Sequence, residues 1–217
     1  SLIYSLRHMV EYIINHKRPH TADIILLAAP YEYSTSFGKG TKNGPAAFKY
    51  CFKIQLELFE NHTKTMPARN FKISYLELKQ LKKRNFSPQK MIDLISEYYI
   101  KFFPAKFILL IGGEHTVTLG AIKAITQKNK DFTVVQIDAH PDLRDNDHDY
   151  NTQNPSSLAH SCVMRRIIEQ YKLKTVQIGI RTYSPQEYQY AQKKKLTIFE
   201  WNSSPPLISK IIKKINI

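Results

Sequence analysis

The chain has 217 residues, 42% hydrophobic and 23% charged, the balance of a globular protein with enough length for one large core. No apolar run approaches the roughly 18 residues of a membrane-spanning helix, and Ser1–Arg7 lacks the basic-then-apolar order of a secretory leader, so a cytoplasmic protein with no membrane partner is expected. A net charge of +14 would suit nucleic acid, but the basic residues are mostly lysines scattered through helical stretches, such as Lys79, Lys82, Lys123, Lys193 and Lys210, with no RNA-binding aromatic motif or helix-turn-helix pattern.

Ile24–Ala28 reads as a strand. Pro45–Phe59 reads as a helix entered through Gly44-Pro45, where proline suits the first turn. Phe71–Leu76 suits a strand, and Ser87 is a candidate N-cap for a helix running to about Lys101. Phe107–Ile111 is a buried-type strand broken by Gly112-Gly113, followed by a helix over Thr116–Gln127. Phe132–Ile137 is a strand ending at Asp138. Leu143–Leu158 has no periodicity and reads as a polar surface loop. A helix over Ser161–Tyr171, a strand over Val176–Ile180, a helix from Ser184-Pro185 to about Lys194, a strand over Leu196–Phe199 and a last helix over Pro206–Lys214 complete the chain. Cys51 and Cys162, far apart, read as two reduced thiols rather than a disulfide framework or zinc ribbon. This alternation predicts an α/β fold: one domain over residues 1–217, with a mainly parallel sheet covered by helices on both faces.

In such sheets ligands bind beyond the carboxyl ends of the strands, and two of these ends concentrate chemistry. One is Leu110-Ile111-Gly112-Gly113-Glu114-His115. The other is Val135-Gln136-Ile137-Asp138-Ala139-His140-Pro141-Asp142. A histidine after a Gly-Gly turn is more often a turn residue than a ligand. Asp138, His140 and Asp142 differ, because they stand at i, i+2 and i+4 directly after an apolar strand, and extended backbone sends alternate residues to one side. Grouped like charges at a sheet end are costly without a cation. Mixed carboxylate and imidazole donors without thiolate suit Mn²⁺ or Fe²⁺ better than structural zinc.

Gly-Gly-Glu-His at 112–115 and Asp-Ala-His-Pro-Asp at 138–142 resemble the first two metal motifs of the ureohydrolase (arginase/agmatinase) family. Pro30–Ser36 with Gly38 and Gly44-Pro45, Leu143-Arg144, His160 with Met164-Arg165-Arg166, and Gln177–Arg181 are similar to agmatinase segments. The resemblance runs from about Asp23 to the end. It implies a three-layer α/β/α sandwich and a binuclear Mn²⁺ centre that makes hydroxide available at neutral pH. His115, Asp138 and Asp142 would hold one ion, and His140 with the second oxygen of Asp138 the other. His160 matches the family's mobile histidine, which donates a proton to the leaving amine. The implied reaction is hydrolysis of a small cationic guanidino substrate, with agmatine preferred over the substrates of arginase, guanidinobutyrase or formimidoylglutamase. A homo-oligomer is also expected.

Two departures qualify the resemblance. Asp142 to His160 is longer than the family pattern, and the extra residues include Asp145, Asp147, His148 and Asp149. Nothing matches the family's third motif, an Asp-x-Asp pair that completes both metals. The chain is therefore expected to lack the carboxyl-terminal part of the fold, with central strands missing and apolar edges open. A catalytically inactive homologue serving as a binding subunit is the rival expectation.

Overall fold

The computed structural model of the protein describes residues 14–54, 59–82, 86–201 and 208–215. The chain divides into two compact units: the described residues of Ser1–Tyr33 with Phe37–Ala124, and of Ser34–Ser36 with Ile125–Ile217.

The first unit is built on β1 (Ile24–Ala29), β2 (Ile73–Glu77) and β3 (Phe107–Gly112), all parallel in the order β2-β1-β3. The central strand, β1, is apolar throughout, and Ile25, Leu27, Ala28 and Ala29 are fully buried. A strand paired at both edges and covered on both faces needs no polar alternation. Helices α1 (Gly44–Ile54), α2 (Pro67–Asn70), α3 (Pro88–Ile100) and α4 (Thr118–Thr126) accompany this sheet. Ser87 caps α3 by accepting from the Lys90 amide at 3.4 Å. The buried face of α3 repeats at helical spacing through Met91, Ile92, Ile95 and Tyr99. Gly120 on α4 lies so close to α3 that a Cβ there would stand 2.5 Å from the Ile95 Cβ.

The second unit is built on β4 (Thr133–Ile137), β5 (Lys174–Ile180) and β6 (Thr197–Glu200), parallel in the order β4-β5-β6. Its helices are α5 (Val163–Glu169), α6 (Pro185–Lys194) and α7 (Ile208–Ile215). Ser184 and Glu187 form a reciprocal capping box at the start of α6, and Lys195 ends it in the left-handed conformation. Val163, Met164 and Ile167 bury the inner face of α5.

The architecture is the expected one of parallel strands with covering helices. The helix expected over Thr116–Gln127 begins as a 3₁₀ turn, His115–Val117, and that over Ser161–Tyr171 as another, His160–Cys162. The helix expected to reach Phe59 does not, because Glu60 pairs with Thr65 across a turn. Residues 55–58 of that expected helix, and 206–207 of the last one, lie outside the described residues. Among the described residues β3 pairs only with β1, and it exposes Phe107 and Leu109. Likewise β4 pairs only with β5 and exposes Val135 and Ile137. No described helix is long and apolar enough to cross a membrane.

The turn that ends β3 is clamped. A Cβ on Gly113 would come within 2.1 Å of the Tyr31 carbonyl oxygen. The Glu114 amide donates to that same carbonyl at 3.1 Å, and the buried Glu114 carboxylate accepts from the Tyr33 amide at 2.7 Å and the Thr116 hydroxyl at 2.9 Å. The obstruction at Gly113 is backbone and cannot swing aside. Gly113→Ala should therefore destabilise the protein by about 3 kcal/mol, seen as a lower urea midpoint at unchanged slope. An unchanged midpoint would show that the turn is not clamped.

Candidate metal centre

The second unit gathers carboxylate and imidazole groups where β4 ends. The Asp138 amide still donates to the Ile178 carbonyl at 3.0 Å, one residue past the strand. The Arg181 amide then donates to the Ala139 carbonyl at 2.9 Å. Between these bonds β5 carries a register shift at Gly179, whose φ of 89° suits glycine. A Cβ at Gly179 would also sit 3.2 Å from the Asp138 carbonyl oxygen.

Asp138 Oδ1 accepts from the His140 amide at 2.9 Å and lies 3.7 Å from His140 Nδ1. Asp142 is 7% exposed and adopts a left-handed backbone, φ 49°. Its carbonyl accepts from the Arg165 amide at 3.2 Å, and the next amide, of Leu143, donates to buried Glu187 at 3.0 Å. As a result, one carboxylate oxygen of Asp138 and one of Asp142 lie within 4.8 Å of each other. The expectation from extended geometry is corrected here. A turn, not strand alternation, brings the two carboxylates together, and the His140 side chain stays 65% exposed. His115 belongs to the first unit, half-buried at the carboxyl end of β3.

The donor set suits a divalent cation. Two carboxylates this close, one withdrawn from solvent, repel unless a cation or proton stands between them. Hard oxygen donors with imidazole and no thiolate fit Mn²⁺ or Fe²⁺.

Beside this loop, within the second unit, lies a cavity of about 330 Å³ lined by Ser36, His140, Asp142, Tyr150, His160 and Glu187 among others. The His160 backbone amide donates to Ser34 Oγ at 2.9 Å, and its ring Nδ1 is 3.4 Å from the same hydroxyl. The Tyr150 ring leans on the His160 ring, 5.7 Å between centroids, and its hydroxyl meets Ser161 Oγ at 2.6 Å. Burial pushes the Tyr150 hydroxyl up to about 12, outweighing the opposite effect of that bond, so it stays protonated.

The long segment after Asp142 is not polar surface throughout. Asp147 is 1% exposed, and its carboxylate accepts from the Ser156 amide and from Asn151 Nδ2. Asp145 pairs with Arg165 and Arg166, and Asp149 with Arg144. These acids hold the loop together. Tyr150 and Glu187 escaped the sequence reading, though Glu187 carried a signal, three residues after Ser184 in a capping-box pattern; Ser34, Gln136 and Gln177 stood in segments already singled out, but without a role of their own.

The model of the arginase family matches residues 22–216, and the chain belongs to that family. It is 32% identical over 203 residues to the N(1)-aminopropylagmatine ureohydrolase of Synechocystis sp., covering 89% of this chain and 63% of the relative. It is 24% identical over 198 residues to the agmatinase of Bacillus anthracis, covering 90% and 65%. The crystal structure of the agmatine ureohydrolase of Thermoplasma volcanium superposes with a TM-score of 0.73 at 22% identity, covering 97% of this chain and 66% of that one, and shares the fold. The chain thus spans somewhat less than two thirds of the length of the curated relatives it matches.

Both cysteines are free, Cys51 exposed and Cys162 buried. Burial pushes the Cys162 thiol up to about 11, and its sulfur lies 3.9 Å from the Ser156 carbonyl that the Asp147 loop fixes. A thiol reagent at pH 8 should therefore modify Cys51 quickly and Cys162 only on opening. Asp147→Ala, which strips buried hydrogen bonds, should speed Cys162 modification roughly 10-fold or more. Equal rates in both proteins would show that Asp147 does not hold the loop.

Proposed function

We propose that this protein is a manganese-dependent ureohydrolase that cleaves a linear guanidino compound into urea and an amine. The observation that carries the reading is the paired carboxylates of Asp138 and Asp142 beside the His140–His160 cavity, in a chain of the arginase family. His115, Asp138 and Asp142 are proposed as residues that would hold one Mn²⁺, and His140 with Asp138 as residues that would hold another. The support for His115 is its motif, Gly112–His115, at the end of a parallel strand. The remaining ligands are proposed to lie outside residues 1–217, a reading supported by the relatives' greater length and by the apolar side chains that β3 and β4 expose among the described residues.

Bound manganese would supply water acidified enough to attack a guanidinium carbon at neutral pH. The chain's own residues do the rest. Asp138 and Asp142 fix the reacting end of the cavity. His160, oriented by Ser34 and the Tyr150 ring, gives a proton to the leaving nitrogen as the C–N bond breaks. Agmatine is the proposed substrate. N(1)-aminopropylagmatine is a second reading, favoured by the activity for which the Synechocystis relative is named.

The test is urea release by the native protein, as made in its source, with agmatine, N(1)-aminopropylagmatine and arginine. Either of the first two should exceed arginine in kcat/KM, and a preference for arginine would overturn the substrate reading. Asp138→Asn should abolish manganese binding and urea release together; wild-type turnover would sink the ligand assignment. His160→Phe should keep its manganese and lose roughly 10²–10⁴ in kcat. Loss of metal in that variant would make His160 a ligand or a prop.

A further inference from the structure

The tripeptide Val-Gln-Ile occurs twice, at 135–137 in β4 and at 176–178 in β5. The parallel register sets Gln136 directly against Gln177, so their side chains lie side by side on one face. Gln177 is fully buried and Gln136 is 6% exposed. Two primary amides in the middle of an apolar sheet are an odd choice for stability, since apolar side chains of that shape would do as well or better.

Their hydrogen bonds explain the choice. Gln136 Nε2 donates to the His140 carbonyl at 3.2 Å and reaches the Asp138 carboxylate at 3.5 Å. Both partners are acceptors, so the nitrogen of Gln136 must face them and its oxygen must face Gln177. Gln177 Nε2 donates to that oxygen and, at 2.7 Å, to the Pro141 carbonyl. Only one orientation of the two amides satisfies all four acceptors. It leaves Gln177 Oε1 buried with no partner among the described residues. Of the four hydrogen bonds the pair donates, three go to residues 138–141 and one ties Gln177 to Gln136.

We infer that Gln136 and Gln177 act as a latch that positions the Asp138–Asp142 loop for metal binding, by tying the carbonyls of His140 and Pro141 and the carboxylate of Asp138 down onto the sheet. The latch rests on the metal reading of this loop for its purpose, but not for its geometry. Both are positioning residues, acting through their hydrogen bonds to residues 138–141.

The test uses Gln177→Met and, as a second variant, Gln136→Met, which keep chain length and volume and remove the donors. Hydrogen exchange is followed in the metal-free native protein, and Mn²⁺ affinity by titration. The His140 amide, bonded to Asp138 Oδ1, should exchange about 10-fold faster, while the β4–β5 ladder amides keep their protection. Mn²⁺ should bind roughly 10–100-fold more weakly. An unchanged His140 amide, or equal loss of protection along both strands, would overturn the latch. So would unchanged affinity in a variant whose loop has loosened. Failure of the wild-type protein to bind Mn²⁺ would count against the metal reading instead, and the exchange result alone would then decide whether the pair holds the loop.

Discussion

Two carboxylates held within 4.8 Å of each other at the end of β4, one of them shut away from solvent, repel each other when both are ionised. An unsupported loop would relax by swinging one of them into water. Here it is restrained on several sides. Arg181 and Thr182 amides bond the Ala139 carbonyl, the Arg165 amide bonds the Asp142 carbonyl, Glu187 receives the Leu143 amide, and the two glutamines pull from below. The surrounding unit resists this repulsion at the site where a cation would relieve it.

The restraints come from separate stretches of chain. Gly179 stands at a register shift of β5 against β6, and the chain bonds to the loop on either side of it, through the Ile178 carbonyl and the Arg181 amide. Ser184 and Glu187 are both the N-terminal cap of α6 and the floor of the loop, so a local capping pattern doubles as support for the candidate site. The start of α5 brings Arg165, and the long segment between Asp142 and His160 closes the far side of the cavity with Tyr150. That segment could have been loose. Its buried aspartate, Asp147, makes it a folded wall, and the position of His160 follows from Ser34 and Tyr150 in turn.

Much of this was legible in the sequence. Apolar runs such as Ile24–Ala29 announce central parallel strands, because a strand covered on both faces has no use for polar alternation. Ser87 and Ser184 mark their helices because a capping hydroxyl and a following proline are local signals. The crowding of Asp138, His140 and Asp142 at a strand end was also readable. The means of their convergence was not. Asp142 turns left-handed, a conformation that aspartate tolerates but that tertiary bonds impose. Asp147 looked like one more acid in a polar run, because its burial depends on Ser156 and Asn151 folding around it. The paired glutamines were hidden for a related reason, since only the register of β4 on β5 places them together.

The most direct measurement is anomalous diffraction at the manganese edge from crystals of this protein grown with Mn²⁺. A peak lying against the carboxylates of Asp138 and Asp142 is the predicted result. An empty map there, or a peak at Asp145–Asp149 instead, would contradict the assignment of the 138–142 loop as the metal centre.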